Sequence, residues 1–412
     1  MRPLHLSAAQ ALARTRAQLA DTSLLLAARP DMAALLLAGR VLSSERTPLR
    51  RLPPLGWVTA HAPTAREILK DYRHFTNLTE GGVGDLWAQV LGPWVLDMFD
   101  GPGHHDLRTR TRELFTEDSA AALVAEAWQD SFDAARRELV TGGTVDIAAL
   151  SRMLVGRMMG ALLGIDEVRH DSAAADELFA TGERLAGLAL DTGADTTLPE
   201  DRVAQAQEIV RQLTANVPAA FADPQPGTIL ERCARLGLGL RETTGLCALL
   251  MVAGTETSAS AMARTVALLA DTGDQHLLRR DRSLLPEAVR EGLRVTTPAA
   301  VIGRGVSADV EIAGARMQAG ERVMMLTWTA NTRYGGFDLR RGYVPEVRQL
   351  WFGAGRHLCL GAPLARAEIA GLLTMLLDAA AEAGAPGWQI VERTPQRRVM
   401  IPGYQRLVVA LA

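Results

Sequence analysis

The chain has 412 residues, 48% of them hydrophobic and 22% charged, with a formal net charge of −3. That balance excludes the basic footprint of a nucleic-acid binder. Three cysteines, at 233, 247 and 359, exclude a disulfide scaffold and fit a reducing cytoplasm. No Pro/Gly/Ser linker or charge block divides the sequence, so one large domain over 1–412 is expected, with 1–51 as an N-terminal extension packed on it.

Residues 1–22 carry Arg2, Arg14, Arg16 and Asp21 and lack the pattern of a signal peptide. The apolar runs 23–28 and 32–38 are separated by Arg29, Pro30 and Asp31. Neither approaches the roughly 20 residues of a bilayer span, so no membrane anchor is expected. Residues 53–58 read as a strand, and Thr64 with Glu67 has capping-box spacing at the start of a helix. The stretch 77–97, rich in Gly and Trp, reads as a loop with at most short helices. Helices are expected over 108–115, 120–139, 145–163, 176–190 and 200–221, with a polar connection at 191–199.

The longest helical pattern is 241–270, mostly apolar from Leu246 and therefore buried. Cys247 reads as core within it, and Cys233 as an ordinary helix residue. Pro286 marks a helix start. Short strands follow at 299–302, 310–312 and 323–326, and the chain closes on strand-like 399–401 and 407–409. Helices far outweigh strands.

Two local patterns carry chemistry. Gly254-Thr255-Glu256-Thr257-Ser258 interrupts the apolar helix. An ionisable Glu is costly there, and Gly254 permits a kink or bulge that a Thr hydroxyl could support. Its plain alternative is a polar patch facing another helix. The run Phe352-Gly353-Ala354-Gly355-Arg356-His357-Leu358-Cys359-Leu360-Gly361 places one cysteine after a glycine-rich segment and before an apolar helix over 362–379. That helix's positive end and the neighbouring Arg356 and His357 favour a thiolate. The glycines let the backbone turn and let a flat ligand approach. One thiolate against a planar macrocycle is the chemistry of heme iron ligation. His104, His105 and Asp106 hint weakly at a metal, but adjacent histidines suit one ion poorly.

The run from Phe352 to Gly361, followed by Leu364-Ala365-Arg366 and Glu368, resembles the heme-binding signature of the cytochromes P450. The resemblance extends from about Leu52 to the C-terminus. It implies a mostly α fold with small β-sheets, a triangular domain holding heme b between the 241–270 helix and the 350–380 segment. It makes Cys359 the iron ligand, with Phe352, Gly353, His357 and Gly361 around it and Ala253 and Gly254 on the opposite helix. Glu256 and Thr257 become an acid–alcohol pair that delivers protons during dioxygen activation. His104, Arg108 and Arg304, with His357, become partners of the propionates. Glu291 and Arg294 become a structural pair completed by a third arginine, Arg341 or the competing Arg348, in a segment that departs from the family pattern.

The implied reaction is oxygen insertion into a small hydrophobic molecule, free or carrier-bound, by hydroxylation or epoxidation in secondary metabolism. Oxidative coupling, desaturation, a peroxide-driven peroxygenase and a heme-free partner-binding scaffold are the alternatives. Electrons are expected from a ferredoxin and its reductase, to a monomeric cytoplasmic enzyme. Candidate substrate contacts are Trp87, Val90, Trp94, Val252, Ala300, Val301 and Met400, together with 178–190.

Overall fold

The computed structural model describes residues 8–78, 83–92, 94–188, 198–226 and 228–412. Helices α1 (Ala8–Ala28) and α2 (Pro30–Leu42) come first, then strands β1 (Arg50–Leu52) and β2 (Gly56–Thr59). Next are α3 (Ala62–Lys70), β3 (Phe75–Thr76), α4 (Val83–Leu91), α5 (Val95–Phe99) and α6 (His104–Thr111). A helical block follows: α7 (Glu117–Val140), β4 (Val145–Asp146), α8 (Ile147–Leu163), α9 (Asp166–His170) and α10 (Ser172–Gly187). Then come α11 (Glu200–Leu213), α12 (Val217–Ala222), α13 (Ile229–Arg235), α14 (Leu240–Thr272), α15 (Gln275–Arg280) and α16 (Leu285–Thr296). The last third holds β5 (Ile302–Val306), β6 (Val310–Ile312), β7 (Ala315–Met317), β8 (Arg322–Met325), α17 (Thr327–Thr332), α18 (Ala362–Glu382), β9 (Trp388–Pro395) and β10 (Tyr404–Leu411).

Local chemistry sets these ends. Thr116 and Ser119 form a reciprocal capping box that starts α7. Asp146 accepts from the Ala148 and Ala149 amides to start α8. Gly273, at φ 71°, stops α14 in the left-handed conformation that glycine allows. α14 runs unbroken for 33 residues. It is long and apolar enough to cross a bilayer by composition alone, but it packs against α1, α8, α10, α16 and α18. Cys247 and Cys233 are both buried, as core helix residues.

One sheet has the order β1-β2-β8-β5-β3, with β2 and β8 parallel and the other pairs antiparallel. A second has the order β4-β10-β9, and β6 with β7 forms a hairpin. Ala313 and Gly314 turn that hairpin with φ of 51° and 77°, the positive values a two-residue turn requires.

Several expected boundaries are corrected. The strand expected at 53–58 starts only at Gly56, as β2, because Pro53 and Pro54 cannot donate ladder bonds and occupy the turn that joins it to β1. α3 begins at Ala62, so Thr64 lies inside it and forms no capping box; its hydroxyl meets His61 Nδ1 at 2.9 Å. Within 77–97 the described residues hold the short helix α4 and the start of α5, in line with the expectation, whereas the helix expected at 200–221 breaks between Leu213 and Val217. The strand expected at 299–302 starts only at Ile302, and 399–401 is the connection between β9 and β10, with Arg398 at φ 52°. Residues 189–190 of the expected 176–190 helix and 191–197 of the polar connection lie outside the described residues.

Candidate cofactor site

The Cys359 loop is held by its own backbone. The Cys359 amide donates to the Phe352 carbonyl at 2.9 Å, and the Phe352 amide to that of Gln349 at 2.8 Å. Gly353 and Gly355 have φ of 80° and 68°. A Cβ at Gly355 would also lie 2.6 Å from the Leu69 carbonyl oxygen, so α3 and the loop approach each other through that glycine. Gly361 has open space where a Cβ would stand.

Cys359 is exposed, and it lines an open cavity. Desolvation pushes the thiol up, opposed by the Gly361 amide and the charges of Arg108 and Arg366. A cavity of about 630 Å³ adjoins the thiol, bounded by α6, the loop and the start of α18, with Arg108, Arg112, Arg356 and Arg366 on its wall. No α14 residue lines this cavity. On α14, Ala253 is exposed in the middle of an otherwise packed helix, so it too faces open space.

Basic side chains gather beside the loop. His104, almost fully buried, donates from Nδ1 to the Met98 carbonyl at 3.0 Å, leaving its buried Nε2 without a partner. Burial, with Arg356 and His357 nearby, holds it down to about 4. The His104 and His357 ring centroids are 4.9 Å apart. His357 Nε2 meets Asp100 Oδ1 at 2.9 Å, and Asp100 also accepts from Thr76 and the Asn77 amide. Arg304 is buried, donates to its neighbour Gly303 at 2.7 Å and is pushed down to about 10 by desolvation. Arg108 donates to the Leu358 carbonyl and is lowered by burial. The buried Arg304 and half-buried Arg108, withdrawn from water with Asp100 as the nearby carboxylate, call for an anionic partner. An open thiol, an unpartnered imidazole nitrogen, one buried arginine and one half-buried arginine fit a planar cofactor that bears carboxylates.

The polar segment of α14 does not break the helix. Thr257 donates to the Ala253 carbonyl at 2.7 Å, four residues back, so its hydroxyl adds to the helical ladder where a kink was expected. Glu256 points into a small cavity with Glu183 of α10, Ser260 and Gln396. Burial, and then Glu183, push its carboxyl up to about 7. Glu368 on α18 is buried with neither oxygen partnered, and desolvation raises it to about 8. The Ser258 hydroxyl opposes that rise from outside hydrogen-bonding geometry.

Glu291 and Arg294 form a buried bidentate pair at 2.8 and 2.6 Å. Arg341 Nε donates to Glu291 at 3.1 Å, while Arg348 offers its backbone carbonyl to Arg66. The Asp338 amide donates to Glu291 at 3.1 Å, and Arg14 of α1 grips the Asp338 carboxylate. Sequence reasoning missed Arg14, Asp100, Glu183 and the Asp338 link, since none carries a local motif.

The substrate candidates are scattered. Val90 and Val252 lie in the main core, and Trp87 packs on it. Trp94 donates to the Leu91 carbonyl at 2.9 Å, and its ring takes the place a Cβ on Gly245 would need, 1.8 Å away. Ala300 and Val301 pack on the cluster of Leu36 and Trp328, and Met400 is 41% exposed.

Comparison with known proteins gives a consistent picture. The family model described as Cytochrome P450 matches residues 273–379. The chain is 30% identical over 366 residues to the mycinamicin IV hydroxylase/epoxidase of Micromonospora griseorubida, covering 84% of this chain and 89% of that protein. It is 28% identical over 332 residues to a vitamin D3 dihydroxylase of Streptomyces griseolus, covering 78% and 80%. Its fold matches P450BioI, solved with an acyl carrier protein ligated to hexadec-9Z-enoic acid, at a TM-score of 0.73 and 23% identity over 92% of this chain and 98% of that one.

Proposed function

This chain belongs to the cytochrome P450 family of heme monooxygenases, and from that premise we propose that it hydroxylates or epoxidises a mid-sized hydrophobic natural product. The observation that carries the reading is the open Cys359 thiol beside the charges of Arg108 and Arg366, with the buried Arg304 and the unpartnered Nε2 of His104 in the same region. When bound, heme supplies an iron that activates dioxygen, so that one oxygen atom enters the substrate and the other leaves as water. Cys359 would hold that iron as a thiolate, with the Gly361 amide and the Arg108 charge favouring the ionised sulfur. His104, Arg108, Arg304 and His357 would hold the carboxylates of the cofactor. His104, neutral alone, would take a proton once an anion sits at its free Nε2.

Glu256 and Thr257 would manage protons at the face of α14 beside Ala253. A carboxyl near pKa 7 is half protonated at neutral pH, so it both donates and accepts readily. The arginines around the Cys359 cavity form a basic rim suited to an acidic electron carrier such as a ferredoxin. Relatives that act on mycinamicin IV and vitamin D3 support an apolar, polycyclic or macrocyclic substrate class. The acyl-carrier complex of the structural neighbour keeps a carrier-bound substrate in view.

The test is turnover under ¹⁸O₂ with a surrogate ferredoxin, its reductase and NADPH, using mycinamicin IV and vitamin D3 as first probes. One labelled oxygen atom in the product is expected. Product formed with hydrogen peroxide, and none with the electron-transfer chain, would instead favour the peroxygenase reading.

A further inference from the structure

Glu183 lies on α10 and Glu256 on α14, and both line one small, partly open polar cavity of about 20 Å³. That volume admits a single water and is too small for substrate or a hydrated ion. The wall supplies what such a water needs. Gln396 donates to Glu183 at 3.4 Å, the Ile401 backbone acts to lower the Glu256 carboxyl, and the Ser260 hydroxyl donates to the Pro402 carbonyl at 2.6 Å. Glu183 is half-buried, so it is partly open to solvent while it also lines the cavity.

Charge around the pair is under-compensated. Arg152 of α8 is the cation on the cavity wall, and its guanidinium is shared with the Tyr404 and Gln405 carbonyls at 3.3 and 3.2 Å. The Tyr404 phenol, also on the wall, is held far above its ordinary range by burial and stays neutral. The Arg152 charge acts on Glu183 and on Asp176, both on α10, so Glu183 is the one with a cation acting on it among the two cavity carboxyls. Burial raises each of them, and Glu183 adds to the rise at Glu256.

We propose that Glu183 is the outer positioning residue of the proton path, joined to Glu256 through one bridging water, so that the pair holds one proton and reloads Glu256 from solvent. In the transfer, protonated Glu183 gives its proton to the bridging water as that water gives one to the Glu256 carboxylate. Glu183 is left ionised and recovers a proton from solvent. No electron moves. This rests on the reading of Glu256 and Thr257 as the proton-delivering pair.

The experiment uses the heme-loaded enzyme with a surrogate ferredoxin system. Peroxide released per NADPH consumed is measured against pH for the parent, Glu183→Gln, Glu183→Asp and Glu256→Gln. The infrared carboxylic-acid band is followed over the same pH range. Glu183→Gln should raise peroxide release and move the surviving Glu256 titration to lower pH, since a like charge is removed. Glu183→Asp should restore most of the coupling. Parent-like coupling and titration in Glu183→Gln, with Glu256→Gln uncoupled, overturns the proposal and leaves the acid–alcohol reading standing. Coupling unchanged in Glu256→Gln as well overturns that reading itself. If the glutamine variant fails to load heme, Glu183→Asp decides: an unshifted titration refutes the bridge, and a shifted one with coupling retained supports it.

Discussion

Arg264, fully buried on α14, is held by Asp21 of α1 through two hydrogen bonds of 2.8 Å, and its remaining edge donates to the Thr296 carbonyl at 2.7 Å. The central helix, the first helix and the end of α16 therefore meet at one guanidinium. Asp21→Ala leaves that charge buried and unpaired, at a cost of about 3–5 kcal/mol. Thermal unfolding of the heme-loaded protein should show a clear drop in midpoint. Asp21→Leu combined with Arg264→Met should recover much of it. A neutral single variant would mean that α1 contributes little to the fold.

The Glu291 network predicts a graded series. Glu291→Ala strands Arg294 among the Asn331, Gly335 and Gly336 carbonyls and removes the acceptor of the Asp338 amide. It should yield little folded, heme-loaded protein. Arg341→Ala should be milder, because its guanidinium is partly exposed, and Arg348→Ala close to neutral. Heme per chain and thermal midpoint read all three. A Glu291→Ala protein that loads heme fully and merely turns over slowly contradicts a structural role.

Thr257→Ala removes one hydroxyl from α14 without touching its backbone bonds. Folding and heme content should be unchanged, while peroxide released per NADPH consumed rises. Coupling equal to that of the parent would show that the hydroxyl delivers no proton.

Glu368 gives a prediction with a definite sign. Its carboxyl, ordinarily near 4.5, is raised to about 8 by burial. A group whose folded pKa is raised contributes stability that is fully present below the unfolded value and is lost as pH rises through the folded one. The parent should therefore lose stability between about 4.5 and 8. Glu368→Gln, which cannot ionise, should flatten that decline. Thermal midpoints across the range would show it, and parallel curves for the two proteins would rule it out.

What the sequence revealed followed the range of the forces involved. The Cys359 loop, the polar step in α14 and the Glu291–Arg294 spacing are local, and each was readable from residue type and interval. α14 was legible because an almost unbroken apolar run of that length has few alternatives. α1 was not, because its buried face includes Asp21, which reads as a surface residue until Arg264 arrives from 243 positions away. Asp100 and Glu183 were hidden for the same reason. Each takes its role from a partner on another element, His357 and Glu256, and no spacing rule reports such a pairing. The Thr64 capping box failed because Ala62 and Pro63 could already begin the turn.

The central claim is that Cys359 holds heme as a thiolate. It is tested most directly by the difference spectrum of the reduced protein on adding carbon monoxide, for the parent and for Cys359→Ser. The parent should give the strongly red-shifted Soret band of a thiolate-ligated heme, and the serine variant should lose it while retaining the fold by circular dichroism. The same red-shifted band in the serine variant, or its absence from a heme-loaded parent, would contradict the account.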